Sequence, residues 1–220
     1  MRRFAGAEEL ERSRGSTRSK RSQGPGYDAG VKDQSVAAVV PAAGRSSRFG
    51  GMKLLADITG EPLLNRTLGS LLESGVDPVV VVISQAAPLD AVPLVSHANV
   101  RTVVNRDPSR GMFSSIQCGI SLVKADAIVV LPADMPFVQP TTVSLVVRTC
   151  LETGRVVVPV FNDRRGHPIG IPGGLREGLL MMPPDRSLKD ALAALGEELL
   201  PVDVNDEGVV RDVDVKSDLN

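Results

Sequence analysis

The stretch VAAVV (36–40), running straight into PAAGRSSRFGGMK (41–53), decides how the rest of this sequence is read. Five apolar residues without polar alternation describe a strand covered on both faces, as parallel strands are. Four further runs share that texture: VVVVI (79–83), VRTVV (100–104), AIVVL (127–131) and RVVVPV (155–160). Between them, leucines at 63, 64, 68, 71 and 72 recur at helical spacing, as do Ile116, Ile120 and Val123, and Val143, Val146, Val147 and Leu151. Strand and helix alternate, which predicts an α/β domain: three layers, α/β/α, around a mostly parallel sheet. With aromatics at 3%, its core must be aliphatic.

Length and composition bound the function. A chain of 220 residues holds one sizeable core. Its 42% hydrophobic and 23% charged residues are ordinary for a globular protein, and no apolar run has a membrane span's length. The net charge of −1 conceals an asymmetry: residues 1–35 carry eight Lys/Arg against five Asp/Glu, the remainder seventeen against twenty-one. A domain on the acidic side of neutral argues against nucleic acid as partner and for a small ligand. Cys118 and Cys150 lack metal-ligand spacing and fit a reducing compartment. The twin arginine at the start has no apolar segment behind it, and Glu8, Glu9 and Glu11 disfavour a transit peptide, so the expected location is cytoplasmic. Residues 1–35, charged and rich in Ser and Gly, are expected to form a disordered tail ahead of a domain over 36–220.

In open α/β sheets ligands bind beyond the carboxyl ends of the strands. After the first strand, Ala42, Ala43 and Gly44 let backbone come close to a ligand, and their N–H groups suit anionic oxygens. Arg48 and Lys53 add positive charge. The glycines at 44, 50 and 51 fit neither a dinucleotide fingerprint nor a Walker loop. After the fourth run, Asp134 stands between Pro132 and Pro136, a hard oxygen donor suited to Mg²⁺ or a turn-capping carboxylate. Ser114 and Ser115 are candidates to cap a helix N-terminus. Asp212 and Asp214 alternate with valines, so on a strand both carboxylates face one way.

The run AAGRSSRFGGMK resembles the signature A-G-x-S-x-R-[FM]-G-x-x-K of the MobA-like nucleotidyltransferases, which load nucleotides onto molybdopterin, and it satisfies every constrained position. The resemblance spans roughly residues 36–219 and implies a Rossmann-like fold and transfer of a nucleoside monophosphate from a nucleoside triphosphate. It implies Mg²⁺ on Asp134 and Asp214, and Arg48 and Lys53 as catalytic residues on the departing phosphates. Ala42, Ala43, Gly44, Ser84, Asn105, Gly111, Ser114 and Ser115 become nucleotide contacts beside those two cations. RRGHP (164–168) looks like the cytidylyl-transferring branch, so Arg164, Arg165, Gly166, His167 and Pro168 are expected to face a phosphorylated, pterin-type acceptor. Ala43 stands where the guanylyl branch has glycine, which favours CTP. A guanylyltransferase, a sugar-phosphate nucleotidyltransferase and a non-catalytic carrier or assembly factor serving a molybdoenzyme are the competing readings.

Overall fold

The computed structural model describes residues 34–44, 53–85, 89 and 92–219. Residues 1–33, most of the expected tail, and Arg48 lie outside them. Among the described residues there are ten strands: β1 Val36–Pro41, β2 Asp57–Ile58, β3 Glu61–Pro62, β4 Val79–Ile83, β5 Val100–Val104, β6 Ala127–Val130, β7 Val157–Phe161, β8 Arg164–Arg165, β9 Ile169–Pro172 and β10 Leu200–Asp203. Five helices accompany them: α1 Leu63–Glu73, α2 Met112–Ile120, α3 Pro140–Thr153, α4 Arg176–Met181 and α5 Leu188–Ala194. Eight strands form one sheet in the order β10-β7-β9-β6-β1-β4-β5, with β8 paired to β7; β2 and β3 make a small hairpin apart from it. Only β9 and β8 run antiparallel to their neighbours in the main sheet, so it is mixed and mostly parallel.

Burial of β1 on both faces is visible residue by residue. Val36, Ala38 and Val40 pack with Leu64, Leu68 and Leu71 of α1 and Val143 and Val147 of α3. Ala37 and Val39 turn to the other face and meet Phe113, Ile116 and Ile120 of α2, in a core continued by α4 and α5. Two cores on one sheet make the three-layer architecture. Leu63, Leu64, Leu68 and Leu71 are wholly buried, and each such side chain contributes roughly 1.5–3 kcal/mol of burial free energy. Helix α2 lies close because Gly119 has no side chain; a Cβ there would come 2.4 Å from Val39 Cγ1.

The third apolar run behaves differently from the others. β5 is the sheet's edge, and Arg101, Thr102 and Val104 are not buried. Its polar residues sit where one side has no strand to cover it.

Past β10 the chain has few apolar residues and is positioned by polar ties. Asp206 is 3% exposed, and its carboxylate accepts from Gln139 N at 2.9 Å, Thr142 Oγ1 at 2.7 Å and Gly208 N at 3.0 Å. It thereby caps the start of α3 from 64 to 67 residues away and anchors the C-terminal segment. Val213 N donates to Asp134 O at 2.9 Å, laying that segment along the end of β6. Asp206→Ala strands three donors, two of them backbone. Stability should fall by about 2 kcal/mol in urea unfolding, and a loss below about 0.5 kcal/mol would show that the cap contributes little.

Candidate active site

The segments following β1 and β6 continue the sheet's hydrogen bonding past the strand ends. Ala42 N donates to Val82 O at 2.7 Å, and Ala133 N to Pro41 O at 3.3 Å. Thr67 Oγ1, from buried α1, donates to Ala133 O at 3.0 Å. These ties fix two loops whose ends open on a cavity of ≈ 380 Å³. Its lining includes Ala42, Ala43 and Gly44 from the first loop, Pro132, Ala133 and Asp134 from the second, and Gly111, Met112 and Ser115 from the start of α2. A Cβ placed on Gly44 would meet nothing within 4 Å, so the backbone there faces open space.

Lys53 begins a single 3₁₀ turn and enters the cavity floor with its side chain 9% exposed. Its Nζ lies 2.8 Å from Asp134 Oδ2 and 3.1 Å from Asp214 Oδ1. Burial works against the ammonium, but hydrogen bonding and attraction from Asp134, then from Asp214, outweigh it and hold its pKa above the ordinary lysine value. Asp214 is in turn held by a local turn: Asp218 Oδ2 accepts from the backbone N–H of Asp214 at 2.8 Å and of Val215 at 2.9 Å. Those bonds, the Val215 one first, keep the Asp218 carboxyl below its usual range.

A second cavity of ≈ 240 Å³ adjoins the first and shares Met112, Pro132 and Asp134 with it. Arg164, Arg165, Gly166, His167 and Asp212 line it. The two arginines are carried by a tight hairpin in which Asn162 and Asp163 take φ of 47° and 60°, the left-handed values a two-residue turn between right-twisted strands requires. Gly166 N donates to Pro159 O at 2.9 Å and His167 N to Val209 O at 2.8 Å. Burial pushes the His167 imidazole pKa below its ordinary value, with Asp134 and Asp212 pulling the other way, so burial favours the uncharged ring.

Several expected site residues stand elsewhere. Asn105 does not line the cavity; its Nδ2 donates to Ser114 Oγ at 2.9 Å and Ser115 Oγ at 3.0 Å. The serines are not N-caps. Gly111, with φ of 97°, holds that position, and Ser114 Oγ donates back to Gly111 O. The three side chains form a buried network that sets the angle of α2, and of them Ser115 alone reaches the cavity wall. Ser84 follows β4 outside the lining, and Pro168 is not among the second cavity's walls. Asp212 and Asp214 do not lie on a strand; Val213 between them is buried, and the two carboxylates line different cavities. Sequence reasoning missed Met112, exposed between the cavities with no local signal, and Asp206, whose signal was the glycine two residues on, typical of an aspartate bonding its own backbone. Cys150 is buried and its thiol pushed up to about 12, and Cys118 is also raised by burial. Neither lines either of these two cavities.

Residues 38–199 match the family model described as the MobA-like NTP transferase domain. The chain belongs to that family. Among curated relatives, the 2-C-methyl-D-erythritol 4-phosphate cytidylyltransferase of Saccharopolyspora erythraea is 40% identical over 138 residues, 58% of this chain and 60% of that protein. A probable molybdenum cofactor guanylyltransferase of Thermococcus sibiricus is 30% identical over 132 residues, 60% of this chain and 65% of the relative. This chain thus spans under two thirds of the length of each. Among solved structures, Rv0371c from Mycobacterium tuberculosis superposes with a TM-score of 0.70 at 25% identity, covering 84% of this chain and 95% of that one.

The loop carrying Gly166 rests directly on the C-terminal segment, since a Cβ there would lie 2.0 Å from the carbonyl oxygen of Val209. Gly166→Ala must therefore part the two walls of the second cavity. The melting temperature should fall by roughly 3–10 °C; an unchanged midpoint would mean that this contact gives way freely.

Proposed function

We propose that this protein transfers a nucleoside monophosphate, CMP from CTP, to a phosphorylated pterin-type acceptor, molybdenum-loaded molybdopterin, and releases pyrophosphate. One observation carries the reading. Lys53, Asp134 and Asp214 converge at the floor of a cavity rimmed by small residues at the carboxyl end of β1.

The donor set fits Mg²⁺. Two carboxylate oxygens from separate segments stand within 3.1 Å of one point, which already holds a cationic group, and hard oxygen donors are what such an ion takes. Asp134 and Asp214 would hold it. Bound there, it would supply positive charge to offset that of the triphosphate. The backbone of Ala42, Ala43 and Gly44 receives the phosphates, with Lys53 and Arg48 on the departing β- and γ-groups. Arg164 and Arg165 hold the acceptor phosphate, and neutral His167 accepts or donates a hydrogen bond without adding charge. An oxygen of that phosphate attacks the α-phosphorus, the bond to the bridging oxygen breaks, and pyrophosphate leaves with the electron pair. Such a reaction depends on positioning and charge stabilisation, so no nucleophilic side chain is needed. Both cavities border on Asp134, consistent with acceptor and nucleotide meeting beside the metal.

Choice of base rests on Ala43, 3% exposed in the wall of the first cavity. Its methyl stands where a purine needs room, and overpacking a tight site costs about 1–3 kcal/mol, so it supplies up to ~100-fold preference. Pyrophosphate release measured with each of the four NTPs and molybdopterin, with and without molybdenum, should show CTP favoured over GTP in kcat/KM. Ala43→Gly should relax that preference in part. Equal use of CTP and GTP would refute the base assignment, and preference for GTP would establish the guanylyl reading.

Asp134→Asn should abolish release while leaving the circular dichroism spectrum unchanged. Near wild-type turnover of this variant at saturating Mg²⁺ would remove Asp134 from the metal site.

A further inference from the structure

The ammonium of Lys53 occupies the spot that the metal would take. We propose that Lys53 closes the two-carboxylate site in the nucleotide-free protein, so that the divalent cation enters with the triphosphate and not ahead of it. This rests on the reading of Asp134 and Asp214 as metal ligands.

Position makes the case. Nζ lies 2.8 Å from one carboxylate and 3.1 Å from the other, and the lysine side chain is 9% exposed against 29% and 50% for the aspartates. The lysine side chain is thus the most buried of the three. A divalent ion entering alone would have to bind the same two oxygens while facing a positive charge at close range. Removing the lysine from between the aspartates without a new partner would leave a poorly solvated charge uncompensated, which is unfavourable. A triphosphate changes both terms: its oxygens give the ammonium a new anionic partner, and the carboxylates are released for the ion that arrives with it. The four-carbon stem of lysine allows such a shift because its ammonium is a point charge with rotatable donors, not a fixed fork. Lys53 would then hold the carboxylates before nucleotide binding and the phosphates after it.

The order of binding is open to direct measurement. Mn²⁺ binding to the full chain, followed by electron paramagnetic resonance of the free ion without nucleotide, compares the wild type with Lys53→Met and Lys53→Gln. The wild type should bind weakly and both variants at least about tenfold more tightly, within the usual span of coupled binding. Lys53→Arg, which keeps the charge, should stay weak. Adding Asp134→Asn to Lys53→Met should abolish the gain, showing that it arises at this site. Wild-type affinity equal to that of the charge-removed variants would overturn the proposal, as would weak binding by all of them. Pyrophosphate release by the wild type from CTP and Mn²⁺ is scored separately: turnover with no gain in the variants leaves the enzymatic reading standing and removes only the role given to Lys53.

Discussion

An ammonium ion placed where water barely reaches it must find negative partners, and Lys53 finds two from distant parts of the chain. Asp134 is 81 positions away and Asp214 is 161. The requirement draws together the turn after the first loop, the end of β6 and the C-terminal segment. Three pieces that share no secondary-structure element thereby acquire a common point. An electrostatic constraint of this kind is more demanding than apolar packing, because a misplaced carboxylate leaves a charge stranded, whereas a misplaced methyl leaves only a void.

Each partner reaches that point by a different physical route. Asp134 is delivered by the sheet: β6 is buried, its ladder with β1 extends to Leu131 and Ala133, and the following loop has little freedom left. Asp214 has no sheet behind it. The bonds of Asp206 to the start of α3, the bond of Val213 to Asp134 and the turn closed by Asp218 together replace the ladder. Polar ties thus do much for residues 204–218 of what hydrophobic burial does for β1.

This difference explains what was legible in the sequence. Continuous apolar runs announce buried strands because local composition and final environment agree, and the leucines of α1 face the core as their spacing indicates. The loop over Ala42–Gly44, Lys53 and Asp134 could be located because all lie just past such strands or the first loop. Non-local polar partnerships could not. Ser114 and Ser115 look like helix caps to local rules, and their true partner, Asn105, comes from the end of another strand. The alternation of aspartate and valine near the C-terminus correctly separates buried Val213 from its exposed neighbours, yet says nothing of the two carboxylates parting into two cavities. The exposed side chains of β5 follow from its place at the edge, which depends on the order of strands in space.

The two cavities also differ in how they are built, and this bears on specificity. The first cavity takes Ala42–Gly44 and Pro132–Asp134 from just past strands, where the fold leaves little latitude. The second cavity shares Asp134 with the first and takes its other charged groups from the β7–β8 hairpin and from Asp212 in the C-terminal segment. Loops on a rigid scaffold change more readily than the scaffold does. Relatives named for an erythritol phosphate and for the molybdenum cofactor, both aligned with this chain at 30% identity or more, fit that division. The family match ends at residue 199, ahead of the segment that supplies Asp212 and Asp214. The matched span thus covers Lys53, Asp134 and the arginine hairpin, and leaves one carboxylate of each cavity, Asp214 and Asp212, outside it. The second cavity's wall holds Arg164, Arg165, His167, Asp134 and Asp212: two cations, an imidazole and two carboxylates. On the proposed function, an acceptor matched to that wall carries an anionic group for the arginines and, elsewhere on the same molecule, a hydrogen-bond donor for a carboxylate.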